Sequence, residues 1–227
     1  MVKFIPVRYS DKDYPPNTNI HPKVQEVTAN FFNFLKHKSE LQKKLQKKLS
    51  PDLLSLHTDP RYNGRKNIFI GSELPDEFPN ISNRVSNSPE HCMSDLWYDK
   101  NWSIEFARFI VKFTEGIERR KIKVIEIHSP IKTYCDRLDK FIEIYKAFEE
   151  VIVKEFPTTI INIENRCNNR HKAKGGLFLL SNTDDIKKLC DLISRHKSKL
   201  KIVIDIPQLL SEHQRLSGRL NNPLLSK

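Results

Sequence analysis

From about residue 102 onward the chain alternates two kinds of apolar spacing. Short β-branched runs, KVIEIHSP at 123–130, TTIINIENR at 158–166 and KIVIDIPQ at 201–208, are separated by longer stretches with apolar positions every three or four residues. The runs predict strands and the stretches predict helices. Ser103 is placed to cap a helix whose apolar face is Ile104, Ala107, Phe109, Ile110, Phe113 and Ile117, ending near Gly116. A second helix, 137–156, carries Leu138, Phe141, Ile142, Tyr145, Phe148, Val151 and Ile152 on one side and is closed by Pro157. A third opens at Thr183, with Ile186, Leu189, Leu192 and Ile193 inward, and a short helix through Leu209, Leu210 and His213 follows the last strand.

Strand, helix, strand, helix, strand, helix is the order of parallel βα units. The fold class is therefore α/β, with a divergent or incomplete (β/α) barrel as the leading architecture and an open doubly wound sheet as the alternative. Strands this apolar are expected to be covered on both faces. The first part of the chain reads less regularly. Val24, Val27, Phe31, Phe34 and Leu35, then Leu41, Leu45 and Leu49 among lysines, predict a long helix over 22–49, stopped by Ser50-Pro51-Asp52 and followed by a helical turn to about Leu56. Residues 57–95, rich in Pro, Asn, Ser and Asp, read as loops around one strand at 67–71. The division expected is a helical and loop-rich region at 1–95, with the option of supplying the first barrel strands, and a βα core at 96–227.

Charge adds a partner class. Thirty-nine basic against 28 acidic side chains give a net +11, which favours an anionic partner, nucleic acid foremost. Cys92, Cys135, Cys167 and Cys190 are too scattered for a zinc knuckle or a disulfide framework, which points to a reducing compartment. With no apolar leader and no run of roughly 18 apolar residues, a cytoplasmic protein without a membrane partner is expected.

The candidate chemistry lies where the three strands end: His128 and Ser129; Glu164, Asn165 and Arg166; Asp205 and Gln208. Parallel strands bring their carboxyl ends to one edge, and two carboxylates beside an imidazole suit a divalent metal (Zn, Mn or Mg) or acid–base catalysis. His128, Glu164 and Asp205 are the candidate ligands and catalytic groups. The loop after Glu164 would place Arg166, Arg170, His171, Lys172 and Lys174 over that edge, in reach of a phosphodiester backbone. No glycine fingerprint for a dinucleotide or a P-loop follows any strand. Trp97 and Trp102, in LWYDKNW, are expected to be buried beside a helix start rather than stacked on a base. Pro75-Asp76 with Glu126 matches a PD-(D/E)xK nuclease pattern only loosely, since His128 stands in place of its lysine.

The endings I-H-S-P, I-x-I-E-N and V-x-I-D-I-P-Q-L resemble the fourth to sixth strands of the xylose isomerase-like TIM barrels, the superfamily of endonuclease IV-type apurinic endonucleases and of sugar isomerases and epimerases. The likeness covers 102–214. It implies that Glu164 is a metal ligand and that Asp205 and His128 are neighbouring ligands or catalytic groups. Gln208 stands where the family usually has a histidine, and the units after the third are missing in that alignment, so that either the N-terminal half, a partner or an oligomer supplies them or the barrel is incomplete. The activity implied first, given the charge, is a metal-dependent phosphodiesterase or endonuclease acting on DNA. The alternatives are a sugar isomerase or epimerase, and a non-catalytic nucleic-acid-binding or assembly subunit on a degenerate barrel.

Overall fold

The computed structural model describes residues 53–58, 78–81, 96–166, 178–206 and 208–209, and the backbone of 24–29. Five strands, β1 (Val24–Ala29), β2 (Leu53–Thr58), β3 (Ile122–His128), β4 (Ile160–Glu164) and β5 (Lys201–Val203), form one sheet. Every neighbouring pair is parallel, and the strands lie in sequence order. Helices α1 (Lys100–Phe113), α2 (Leu138–Glu155) and α3 (Thr183–Arg195) connect β2 to β3, β3 to β4 and β4 to β5.

That order separates the two architectures. A doubly wound sheet reverses its strand order at a switch point and carries helices on both faces. Here each strand is laid beside the one before it, and crossovers of the usual right hand then place all the helices on one face. This is how the wall of a (β/α) barrel is built. The protein is α/β, made of parallel βα units in barrel order, with five strands among the described residues.

The sheet has two unlike faces. Leu54, Leu56, Ile125, Ile127, Ile161 and Ile163 join the aromatic and aliphatic faces of α1 and α2 in a single hydrophobic core. In register between them, His57 lies opposite Glu126, Glu126 opposite Asn162, and His128 opposite Glu164. Paired residues of parallel strands share a face, and alternate residues share it along a strand. β3 is buried on both faces, as expected of a parallel strand, but the two faces differ: one is apolar under the helices, and the other gathers histidines and carboxyls.

Helix ends follow local chemistry. Asp99, not Ser103, caps α1, its carboxylate accepting from Trp102 N at 2.8 Å, while Ser103 is buried within the helix. Asn182 caps α3, accepting from Asp185 N at 2.8 Å, and Asp184 and Asp185 suit the positive end of the helix dipole. Gly116, at φ 85°, takes the left-handed turn after α1 that a Cβ would hinder. Buried Glu149 on α2 accepts from Ser198 Oγ at 3.1 Å and from Lys199 N, which ties the turn after α3 to α2.

The N-terminal expectations fare differently. Val24–Ala29 is a strand, not the start of a helix, and Leu53–Thr58 is a strand where a helical turn was expected. The remainder of the helix expected at 22–49 and the strand expected at 67–71 lie outside the described residues. No helix among the described residues is long and apolar enough to cross a membrane.

Neighbouring positions on β4 test the two-faced sheet. Ile161 is 1% exposed against the helices and Ile160 is 46% exposed on the other face. Ile161→Ala is expected to cost roughly 2–5 kcal/mol in urea unfolding, and Ile160→Ala under about 1 kcal/mol. Equal losses would contradict the assignment of faces.

Candidate metal centre

His57, Glu126, His128 and Glu164 each offer one ligand atom, and these atoms all lie within 4.8 Å of one another. They come from three adjacent strands: His57 from β2, Glu126 and His128 from β3, and Glu164 from the end of β4. Because Glu126 and His128 are two residues apart on one strand, both face the same side. His57 Nε2 is 3.0 Å from Glu126 Oε1, His128 Nε2 is 3.4 Å from Glu164 Oε2, and the two imidazole rings meet edge-on at 4.7 Å. Thr58 fixes the neighbouring strand ends, its hydroxyl donating to the Glu126 carbonyl at 2.7 Å.

The group is largely buried. The His128 side chain is 0% exposed, Glu126 5%, Glu164 16% and His57 20%. Burial, with the Arg166 cation and His57 nearby, holds the His128 imidazole well below its ordinary pKa, so it is neutral. Burial and the facing Glu126 carboxylate push the Glu164 carboxyl up to about 7, against the opposite pull of Arg166 and His57. The 3.4 Å approach of these two side chains is therefore not an ion pair near neutrality in the metal-free chain.

The residues fit a divalent cation. Both ring nitrogens of buried His128 are without a hydrogen-bond partner, a costly state for polar atoms unless something else engages them. Ligand atoms about 2.1 Å from one ion lie at most about 4.2 Å apart, so sub-ångström movement would close this set on an ion.

Asp205 is not one of the four. Its carboxylate accepts from Gln208 N at 3.0 Å and Gln208 Nε2 at 2.8 Å, capping the turn that follows β5. The same Gln208 amide approaches Glu164 Oε1 at 3.4 Å, so Gln208 spans the two carboxyls. Asn165, fully buried, extends the β4–β5 pairing with its side chain: Nδ2 donates to Asp205 O at 3.1 Å and Oδ1 accepts from Asp205 N at 2.6 Å. Arg166 is buried, its guanidinium 5.7 Å from the Phe178 ring centroid. Arg170, His171, Lys172 and Lys174 lie outside the described residues. Of the residues named from strand ends, the structure brings His128 and Glu164 together and adds His57 and Glu126. The signal for Glu126 was present in the sequence as E-x-H on one strand, whereas His57 follows a leucine-rich segment with no strand signature.

Fold and cluster together define an α/β protein of barrel-ordered βα units with a candidate metal centre at the carboxyl ends of its strands. No protein-family model matches the chain, and no curated protein matches it. Among solved structures it is similar to the crystal structure of a D-tagatose 3-epimerase-like protein, with 12% identity and a TM-score of 0.42 over 83% of this chain and 58% of that one. The chain thus spans less than two thirds of that structure's length. Strand order, not this likeness, defines the fold.

The Glu164 carboxyl gives a pH test on the metal-free chain. The unfolded chain ionises it near the ordinary glutamate value of 4.5 and the folded chain only near 7. Stability therefore falls as pH climbs through that window and levels off above it. In EDTA, Glu164→Gln is expected to have little effect at pH 5 and to stabilise the fold by roughly 1–3 kcal/mol at pH 8. An equal shift at both pH values in thermal melts would contradict burial as the cause.

Proposed function

We propose that the chain is a divalent-metal-dependent enzyme of isomerase or epimerase type, moving a proton next to the carbonyl of a small hydroxylated substrate such as a sugar. The observation that carries this reading is an enclosed cluster: four ligand atoms within 4.8 Å of one another on side chains no more than 20% exposed. A centre this enclosed suits a small polyol or hydroxy-carbonyl better than a DNA backbone, which needs an open groove. Arg166 supports the same choice, being buried against Phe178 instead of presented to a phosphodiester.

In this reading His57, Glu126 and His128 hold the ion, the three-ligand set of a catalytic site with a position left for substrate. Two imidazole nitrogens in that set favour Zn²⁺ or Mn²⁺ over Mg²⁺, which prefers oxygen ligands. When bound, the ion polarises a carbonyl oxygen and stabilises charge that develops on it. Glu164 takes a proton from the adjacent carbon and returns it, and Gln208 steadies its Oε1.

Metal content and solvent exchange test this together. The purified chain is expected to hold about one Zn²⁺ or Mn²⁺, with most of it lost in Glu126→Gln and retained in Glu164→Gln. Deuterium from solvent should enter the carbon beside the carbonyl of a ketose, and Glu164→Gln should slow this roughly 100- to 10,000-fold. Metal-dependent nicking of abasic DNA without exchange into any sugar would select the nuclease instead. A chain that binds no divalent ion would end both readings.

A further inference from the structure

His128 poses a positioning problem. A metal-binding imidazole is ordinarily aimed by a hydrogen bond to its second nitrogen, yet neither ring nitrogen of His128 has one. β3 also ends at this residue, so the strand ladder does not hold the peptide that follows. The His128 carbonyl is held by a side chain instead: the indole Nε1 of Trp97 donates to it at 2.9 Å. Trp97 is fully buried at φ 43°, a left-handed backbone that is unfavourable for a non-glycine residue and survives only where its surroundings over-determine it. Those surroundings are the rings of Trp102 and Phe106 on α1 and Phe141 and Phe148 on α2, all with centroids 5.2–5.6 Å away and all steeply inclined.

We propose that Trp97 is a positioning residue for the His57–Glu126–His128–Glu164 centre: its indole N–H ties the His128 carbonyl to the aromatic core of α1 and α2, and so aims an imidazole that has no hydrogen bond of its own. The consequence for metal affinity rests on the metal-centre reading; the tether itself does not.

Trp102 supplies a matched control. It belongs to the same ring cluster, is equally buried, and its indole nitrogen has no hydrogen-bond partner. Trp97→Phe and Trp102→Phe therefore remove the same atoms from one core, and only the first removes the bond to His128. Titration with Mn²⁺ is expected to show affinity reduced about 10-fold or more in Trp97→Phe and changed less than about 3-fold in Trp102→Phe, with similar melting temperatures. In the metal-free chain the His128 ring proton–carbon resonance, identified by its loss in His128→Gln, should move or broaden in Trp97→Phe alone. Equal Mn²⁺ affinities with an unchanged His128 resonance would overturn the proposal. A wild-type chain that binds no Mn²⁺ would sink the metal-centre reading and leave the resonance to decide on Trp97. Should either variant fail to fold, wild-type indole N–H exchange decides: strong protection of Trp97 supports the tether, and exchange as fast as that of Trp102 refutes it.

Discussion

One extra residue between β2 and β3 decides which side chains meet. Leu54 pairs with Ile122 and Ser55 already pairs with Val124, so β3 contributes Lys123 without a partner on β2. In parallel strands a one-residue slip sends every side chain to the opposite face. Had the first register continued, His57 would lie beside Ile125, and Glu126 would share the face of Leu54 and Leu56 under the helices. An ionisable group there would be desolvated among Leu54, Leu56 and the rings of α1 and α2, at a cost of several kcal/mol. The bulge resolves this by giving the apolar residues of both strands to the helices and leaving His57 opposite Glu126. From β3 to β4 the register then runs residue for residue, and His128 meets Glu164.

Helices α1 to α3 and strands β3 to β5 were legible because their signals are local, while the helix expected through Leu209, Leu210 and His213 lies largely outside the described residues. β-Branched runs, helical spacing and Pro157 each act within a few residues, and the elements fall within a few residues of their expected positions. β1 and β2 were not. VQEVTA places Val24 and Val27 three apart, as a helix would, and LLSLHT is leucine-rich with no β-branched residue before Thr58. Pairing along a parallel ladder overrides such weak propensities, and pairing is not written in either segment alone. His57 was lost with β2, since a histidine in a presumed loop has no face. Glu126 was visible but undervalued, because its meaning depends on sharing a face with His128.

Asp205 shows the opposite limit. Its residue type and its place after an apolar run suit a ligand, but its carboxylate is engaged by Gln208 and is not among the four clustered ligand atoms. The chain uses that carboxylate to start the next turn, and Gln208, which looked like a missing ligand, becomes the amide joining Asp205 to Glu164. Residue chemistry alone could not separate these roles, because a capping carboxylate and a ligating one differ only by a few ångströms of backbone.

Burial divides the four clustered residues into two kinds. It leaves His128 neutral, the form that can ligate a cation, while keeping a proton on Glu164 up to about pH 7. A carboxyl with its proton is a poor ligand and a ready proton donor, so desolvation itself separates holding from proton transfer. A divalent ion among these groups would reverse the balance at Glu164, since a nearby double positive charge favours the carboxylate and opposes the combined effect of burial and Glu126. Occupancy would then convert Glu164 from acid to base without any change of fold. Loss of that proton to solvent on loading would leave a carboxylate able to accept one from a substrate carbon, which links the burial of Glu164 and the desolvated imidazole to the proposed chemistry.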